Sequence, residues 1–385
     1  MKHIDEYRDP ELARRLLSAI HGRAGSIGRT VTLMEVCGSH THAISRFGLR
    51  EVLPENLRLL SGPGCPVCVT STRDVDIALH LAGINGVVFA TYGDMMKVPG
   101  TGGRTLQKLR AAGADVRVIA TARDGIDLAE AHRNRQIVLM GIGFETTAPA
   151  MAAVAATCRE KAIGNLSIFS VHKVVPPALQ VLIDDAELAV DGFLCPGHVS
   201  SIIGTAPYRP IAEAGMAAVI TGFEPVDVLG GILMALDQIA AGRAEVALQY
   251  ARGVNPEGNP RALKLLGSVF RPVDADWRGL GTLAASGLAF RPEYNSLDAV
   301  ARFGEPQETS REPKGCGCGE ILRGVKTPPQ CPLFGNRCTP ALPAGPCMVS
   351  SEGTCAAWYR YHRPVLEAGP ARMNAESKKL RRTSL

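Results

Sequence analysis

A chain of 385 residues with 46% hydrophobic and 21% charged side chains has the composition of a folded protein of two or three domains, not of a disordered or fibrous one. The formal net charge is +5, and the last fifteen residues supply +4 of it through Arg372, Lys378, Lys379, Arg381 and Arg382 against Glu376. The near-neutral body and the 5% aromatic content exclude a uniformly basic nucleic-acid face, and no uninterrupted apolar run of about 20 residues is present to span a membrane. The N-terminal residues lack a secretory pattern, which predicts the reducing cytoplasm and argues against structural disulfides.

Between residues 29 and 270, short β-branched or apolar runs alternate with longer helical patterns. The alternation predicts strands at 31–35, 57–61, 86–90, 115–120, 136–141, 166–171, 192–195 and 217–220. Helical patterns at 74–82, 105–112, 126–133, 148–159, 178–185 and 226–241 fall between them. Such alternation predicts α/β architecture with parallel sheets and crossover helices. The polar stretch at 130–135 precedes a fresh buried strand, so the expected division is an α/β domain over 30–135 and a second over 136–268. Beyond about residue 270 Gly, Pro and Cys become dense and periodicity fades. Residues 269–370, with 1–29, are expected to form a smaller Cys-rich domain, and 371–385 a basic, disordered tail.

The unusual residues gather just after strands. Cys37-Gly38-Ser39-His40-Thr41-His42 follows the first, and Gly62-Pro63-Gly64-Cys65-Pro66-Val67-Cys68 the second. Asp94, Glu145, His172 and His198 lie in later strand-end turns. Ligands of open parallel sheets bind outside the carboxyl ends of the strands, so these residues are expected to line a cleft between the two α/β domains. Singly they also read as core histidines, an N-cap and a first-turn helix carboxylate.

Cys37 at a strand end opening a helix is expected to gain thiolate character from the free helix N–H groups and from nearby imidazoles, as a nucleophile or soft-metal ligand. His40 and His42, two apart, do not share a helical face, which leaves one of them as a proton donor or hydrogen-bond partner. Cys65-Pro-Val-Cys68 has the spacing of a reversible disulfide or half a zinc site. With no second such pair, redox chemistry is the stronger reading.

Six of the eleven cysteines fall within 316–355. Clustered thiols in a cytosolic chain point to metal or redox chemistry, here an iron–sulfur cluster rather than zinc. Cys331, Cys338 and Cys355 are three expected ligands. The fourth is Cys316 or Cys318, which spacing does not separate, and Cys347 reads as a spare thiol.

CGSHTH at 37–42, GPGCPVC at 62–68, TYGDMMKVPG at 91–100, GFETTAP at 143–149, CGCGEILRG from 316, CPLFGNRCTP from 331 and MVSSEGTCAAWY at 348–359 together resemble the HypD family of nickel–iron hydrogenase formation proteins. The resemblance covers nearly the whole chain. It implies two α/β domains and a third domain with a 4Fe-4S cluster. It implies a metallocofactor-assembly scaffold, rather than a simple turnover enzyme, that pairs with HypC while iron acquires two cyanides and one carbon monoxide. Cyanide would come from HypE, which receives its precursor from HypF. On this resemblance Cys37 binds iron with His40 beside it, and Cys65 and Cys68 form a redox pair that communicates with the cluster. Two competing readings are a stand-alone disulfide reductase similar to ferredoxin:thioredoxin reductase and a zinc-stabilised binding protein.

Overall fold

The structure is a computed structural model that describes residues 5–185 and 187–362. In chain order its strands are β1 (Val31–Glu35), β2 (Leu57–Ser61), β3 (Val87–Thr91), β4 (Val116–Val118), β5 (Gln136–Gly141), β6 (Leu166–Ser170), β7 (Gly192–Pro196), β8 (Ala217–Thr221), β9 (Val246–Leu248), β10 (Phe270–Trp277) and β11 (Gly281–Phe290). They build two parallel sheets, ordered β2-β1-β7-β8-β9 and β4-β3-β5-β6, and the antiparallel hairpin β10-β11. Every residue of β1, β3, β7 and β8 is buried, as expected of strands covered by helices on both faces.

The sheets interleave along the chain. β5 starts just beyond residue 135 yet pairs with β3, Val87 opposite Gln136, so the expected division at 135 cuts through the second sheet. The first sheet takes β1 and β2 from the start of the chain and β7 to β9 from much later, with Leu33 opposite Gly192. The polar stretch before β5 is only a surface connection within one sheet.

Residues 1–29 also depart from expectation. Asp9 caps the helix Pro10–Ile27 by accepting from the N–H groups of Glu11 and Leu12, and Gly28 closes it at φ 72°. Ile20 and Ala24 bury against Val228, Leu229 and Ile232 of the helix Pro225–Ala240, so this segment covers the first sheet instead of joining the Cys-rich region. The hairpin β10-β11 was not expected. Pro272 and the Gly279–Gly281 turn obscured its alternation, and it lies beside β6 through the bridge between Lys173 and Gly287. From 304 to 362 the chain holds only short helices, and its buried cysteines join the same core as Cys65 and Cys68. The predicted tail lies outside the described residues.

No helix among the described residues is long and apolar enough to cross a membrane.

Candidate functional site

In a doubly wound sheet the loops splay apart where the strand order reverses, opening a crevice at the carboxyl ends. The first sheet reverses between β1 and β7, and the second between β3 and β5. Cys37 follows β1 and His198 follows β7. Asp94 follows β3 and Glu145 follows β5. A cavity of about 240 Å³ lies between the two sheets, walled by Cys37, Ser39, Gly64 and His198 from the first and by Gly143, Phe144, Thr146 and Thr147 from the second.

Cys37 caps the helix Gly38–Arg46 and is 8% exposed. Its loop is pressed against the GPGC turn: the Gly38 N–H donates to the Gly64 carbonyl at 2.8 Å. A Cβ on Gly64 would come within 2.1 Å of the Cys37 nitrogen, so only glycine permits this approach. Beneath Cys37, the buried Glu35 accepts from Thr41 Oγ1 at 2.6 Å and from the Cys37 N–H at 3.3 Å. Burial first of all pushes the Glu35 carboxyl up to about 7.

The expected thiolate character of Cys37 is reversed. Burial, then the nearby Glu352 charge, push its thiol up to about 12, against the smaller help of the Ser39 and His40 N–H groups. Desolvation of the anion outweighs the helix terminus because no cation stands in the cleft to offset it. Glu352 was not singled out in the sequence, although it lies three residues before Cys355 within a quoted motif. It accepts from Ser39 Oγ at 2.6 Å and brings the Cys-rich segment to the mouth of the cleft.

His40 does not face the cavity. Its Nε2 lies 2.9 Å from the Gly222 carbonyl and 3.1 Å from that of Thr221, its Nδ1 has no partner, and burial lowers it to about 4. Its ring stacks on Phe223, which also stacks on His198 with centroids 3.8 Å apart, so His40 buttresses the imidazole that does line the cleft. His42 contacts the Ser351 carbonyl at 3.2 Å, and Asp94 accepts from Ser350 Oγ at 3.0 Å; both dock the Cys-rich segment. Glu145 is buried beside the cavity, accepts from the Val175 N–H at 2.9 Å, and is raised to about 7 by burial. His172 is placed elsewhere. It follows β6, an outer strand, and lines a separate groove with Lys173 and the hairpin.

The turn pressed against the Cys37 loop carries the next two thiols. Cys65 Sγ and Cys68 Sγ are 2.6 Å apart, and Cys65 caps the short helix Pro66–Val69. The helix Pro66–Val69 packs against the Pro346–Met348 turn, which brings Cys68 beside Cys347, and Cys347 Sγ lies 2.7 Å from Cys318 Sγ. Cys347, read from the sequence as a spare thiol, lies between the Cys65–Cys68 helix and Cys318. Cys316, Cys318, Cys331, Cys338, Cys347 and Cys355 wall one internal cavity with Ile321, Phe334 and Met348. Backbone N–H groups already point at two of these sulfurs, Gly317 to Cys331 at 3.4 Å and Ala344 to Cys338 at 3.3 Å. Among the described residues no three His, Cys, Asp or Glu side chains are arranged to hold a single metal ion. A cube of iron and sulfide makes a different demand, since its ligands stand off separate corners and its sulfurs accept backbone N–H bonds. The thiol set, the apolar wall and the donated N–H groups match the donors such a group takes, around a cavity of about 10 Å³.

Two facing sheet crevices that enclose a buried cysteine, beside a cavity walled by six more, define an α/β protein with a buried cysteine cluster. The HypD family model, described as "Hydrogenase formation hypA family", matches residues 11–362. "Hydrogenase maturation factor HypD" of Cupriavidus necator is 44% identical over 372 residues, covering 94% of this chain and 98% of its own. The HypD2 factor of Bradyrhizobium diazoefficiens is 44% identical over 94% of this chain and 97% of its own, and the HypD of Azotobacter vinelandii is likewise 44% identical, over 94% and 97%. The chain belongs to the HypD family of hydrogenase maturation factors.

Proposed function

We propose that this chain, paired with HypC, is the scaffold on which an iron ion acquires cyanide and carbon monoxide, with HypE delivering cyanide made from the precursor it receives from HypF. The observation that carries the reading is the buried Cys65–Cys68 pair, whose turn is pressed against the Cys37 loop on one side and whose helix packs against the Cys347 turn of the cysteine-walled cavity on the other. Iron is the substrate. Cys37 is its thiolate ligand, and a soft ion with strong-field ligands suits sulfur. Because burial keeps the Cys37 thiol protonated, iron binding displaces one proton. His198 and Glu352 line the same cavity and are placed to meet that proton and the incoming charge.

Cys318 is taken up by Cys347, so Cys316, Cys331, Cys338 and Cys355 would hold the 4Fe-4S cluster. Such a cluster supplies single electrons. The chain's own part is thiol–disulfide exchange. With Cys65–Cys68 oxidised, the Cys347 thiolate attacks Cys68 Sγ, the Cys65–Cys68 bond breaks, and Cys65 leaves with the proton that Cys347 lost. Cys318 then attacks Cys347, Cys68 is released as a thiol, and the disulfide has moved to Cys318–Cys347 with no external oxidant. Against its contact with Cys318, the Cys355 thiol and then burial push Cys347 up to about 11, and burial raises Cys68, so each attacking thiolate forms only as its proton passes to the leaving sulfur. A general disulfide reductase is less well supported: Cys68 is 0% and Cys65 4% exposed, out of reach of a partner protein's disulfide.

Infrared spectra of the complex co-purified anaerobically with HypC test the scaffold role. Cyanide and carbon monoxide bands are expected, and Cys37→Ala should abolish them while the visible absorption of the cluster persists. Bands that survive in the variant would refute the role of Cys37.

A further inference from the structure

The two thiol groups come from segments almost 250 residues apart, and one side chain joins them. Arg278 sits in the turn between β10 and β11 with a side chain only 2% exposed. Its backbone N–H donates to the Val69 carbonyl at 2.9 Å, directly after Cys68. Its guanidinium donates in three directions: Nε to the Thr70 carbonyl at 3.0 Å, Nη2 to Thr72 Oγ1 at 2.7 Å, and Nη1 to Glu312 Oε2 at 2.9 Å. Thr72 Oγ1 donates in turn to Glu312 Oε1 at 2.7 Å, closing a ring of partners. Glu312 stands four residues before Cys316, at the entry to the Cys-rich segment.

The neighbouring glycine fixes the other side. A Cβ on Gly279 would meet the Gly319 Cα at 2.4 Å, and one on Gly319 would meet the Gly279 Cα at 2.9 Å, so the hairpin turn rests on the backbone next to Cys318.

We propose that Arg278 is a positioning residue for thiol exchange: its planar fork fixes the exit of the Cys65–Cys68 turn against the entry of the Cys316–Cys318 turn, at the spacing that sets Cys347 beside both Cys68 and Cys318. This rests on the exchange proposed above. Lysine keeps the charge but has no rigid fork of donors, so geometry and charge are separable.

The test uses the full chain, purified anaerobically and oxidised with limiting oxidised glutathione. Timed alkylation and mass spectrometry then locate the disulfide at Cys65–Cys68, Cys68–Cys347 or Cys318–Cys347. In the unsubstituted chain the disulfide is expected to move between the pairs. Arg278→Met and Arg278→Lys should both slow that movement at least tenfold while Cys65–Cys68 still oxidises at its own rate, a separation that general destabilisation does not produce. Thr72→Val removes one prong alone and should slow exchange several-fold, so the proposal stays open to refutation should the Arg278 variants not fold. Exchange at an unchanged rate in Arg278→Lys or Thr72→Val would overturn the clamp alone. Failure of the unsubstituted chain to form any Cys68–Cys347 species would overturn the exchange, and this role with it.

Discussion

The two parallel sheets carry polar residues at the ends of their strands in the same way, yet those residues meet different fates. Around the reversals, after β1, β7 and β5, loops converge and enclose Cys37 with His198, Thr146 and Thr147. After β6, an outer strand of the second sheet, the same kind of turn sends His172 into a groove of its own. Spatial order, not position in the chain, sets which turns converge on the crevice; the turn after the edge strand β2 reaches it as well because Gly64 lets that turn press on the Cys37 loop.

The comparison is best broken by measuring reactivity on its two sides. In metal-free protein at pH 8 Cys37, held near 12, should react with iodoacetamide roughly a thousandfold more slowly than an ordinary thiol, and Glu352→Gln should recover part of that loss. Alkylation rates followed by mass spectrometry check this; a Cys37 as reactive as a free thiol would show that the crevice does not desolvate it. Next in size is the Gly64→Ala substitution. Its Cβ would overlap the Cys37 backbone, and a cost above about 3 kcal/mol is expected in denaturant unfolding, with loss of the loop contact.

Glu145 sharpens the comparison through pH. Burial raises its carboxyl from 4.5 to about 7, so its contribution to stability is fully present below pH 4.5 and is lost as pH rises through 7. The loss is about 3 kcal/mol. Glu145→Gln should flatten this part of the stability–pH curve and be the more stable form at pH 8. A variant with the unsubstituted slope would assign the titration elsewhere. The smallest effect belongs to Asp94→Ala, which removes the bond from Ser350 and should cost about 1 kcal/mol. His172→Phe, outside the crevice, should leave Cys37 alkylation unchanged.

Much of the fold was legible because buried parallel strands are short, β-branched and bounded by glycine. The runs at 31–35, 57–61 and 136–141 coincide with β1, β2 and β5. What the pattern could not carry was which strands are neighbours: β1 pairs with β7, and β3 with β5, through contacts whose specificity resides in packing. The division at 135 failed for that reason. The site was partly legible, since Cys37, Cys65 and Cys68 sit in turns whose glycines have steric work to do. Glu352 and Arg278 were not, because a single charged residue in a Gly-rich stretch carries no periodic signal. Cys347, flanked by Pro346 and Met348, showed its place only once Cys68 and Cys318 were on either side of it.

The central claim is that the chamber walled by cysteines serves Cys37 through the Cys65–Cys68 pair. Iron and acid-labile sulfide, assayed per chain on anaerobically purified protein, test it most directly. The account predicts about four of each, lost in Cys331→Ala and retained in Cys347→Ala, whose thiol belongs to the exchange and not to the cluster. Protein without iron and sulfide, or loss of both in Cys347→Ala with retention in Cys331→Ala, would contradict it.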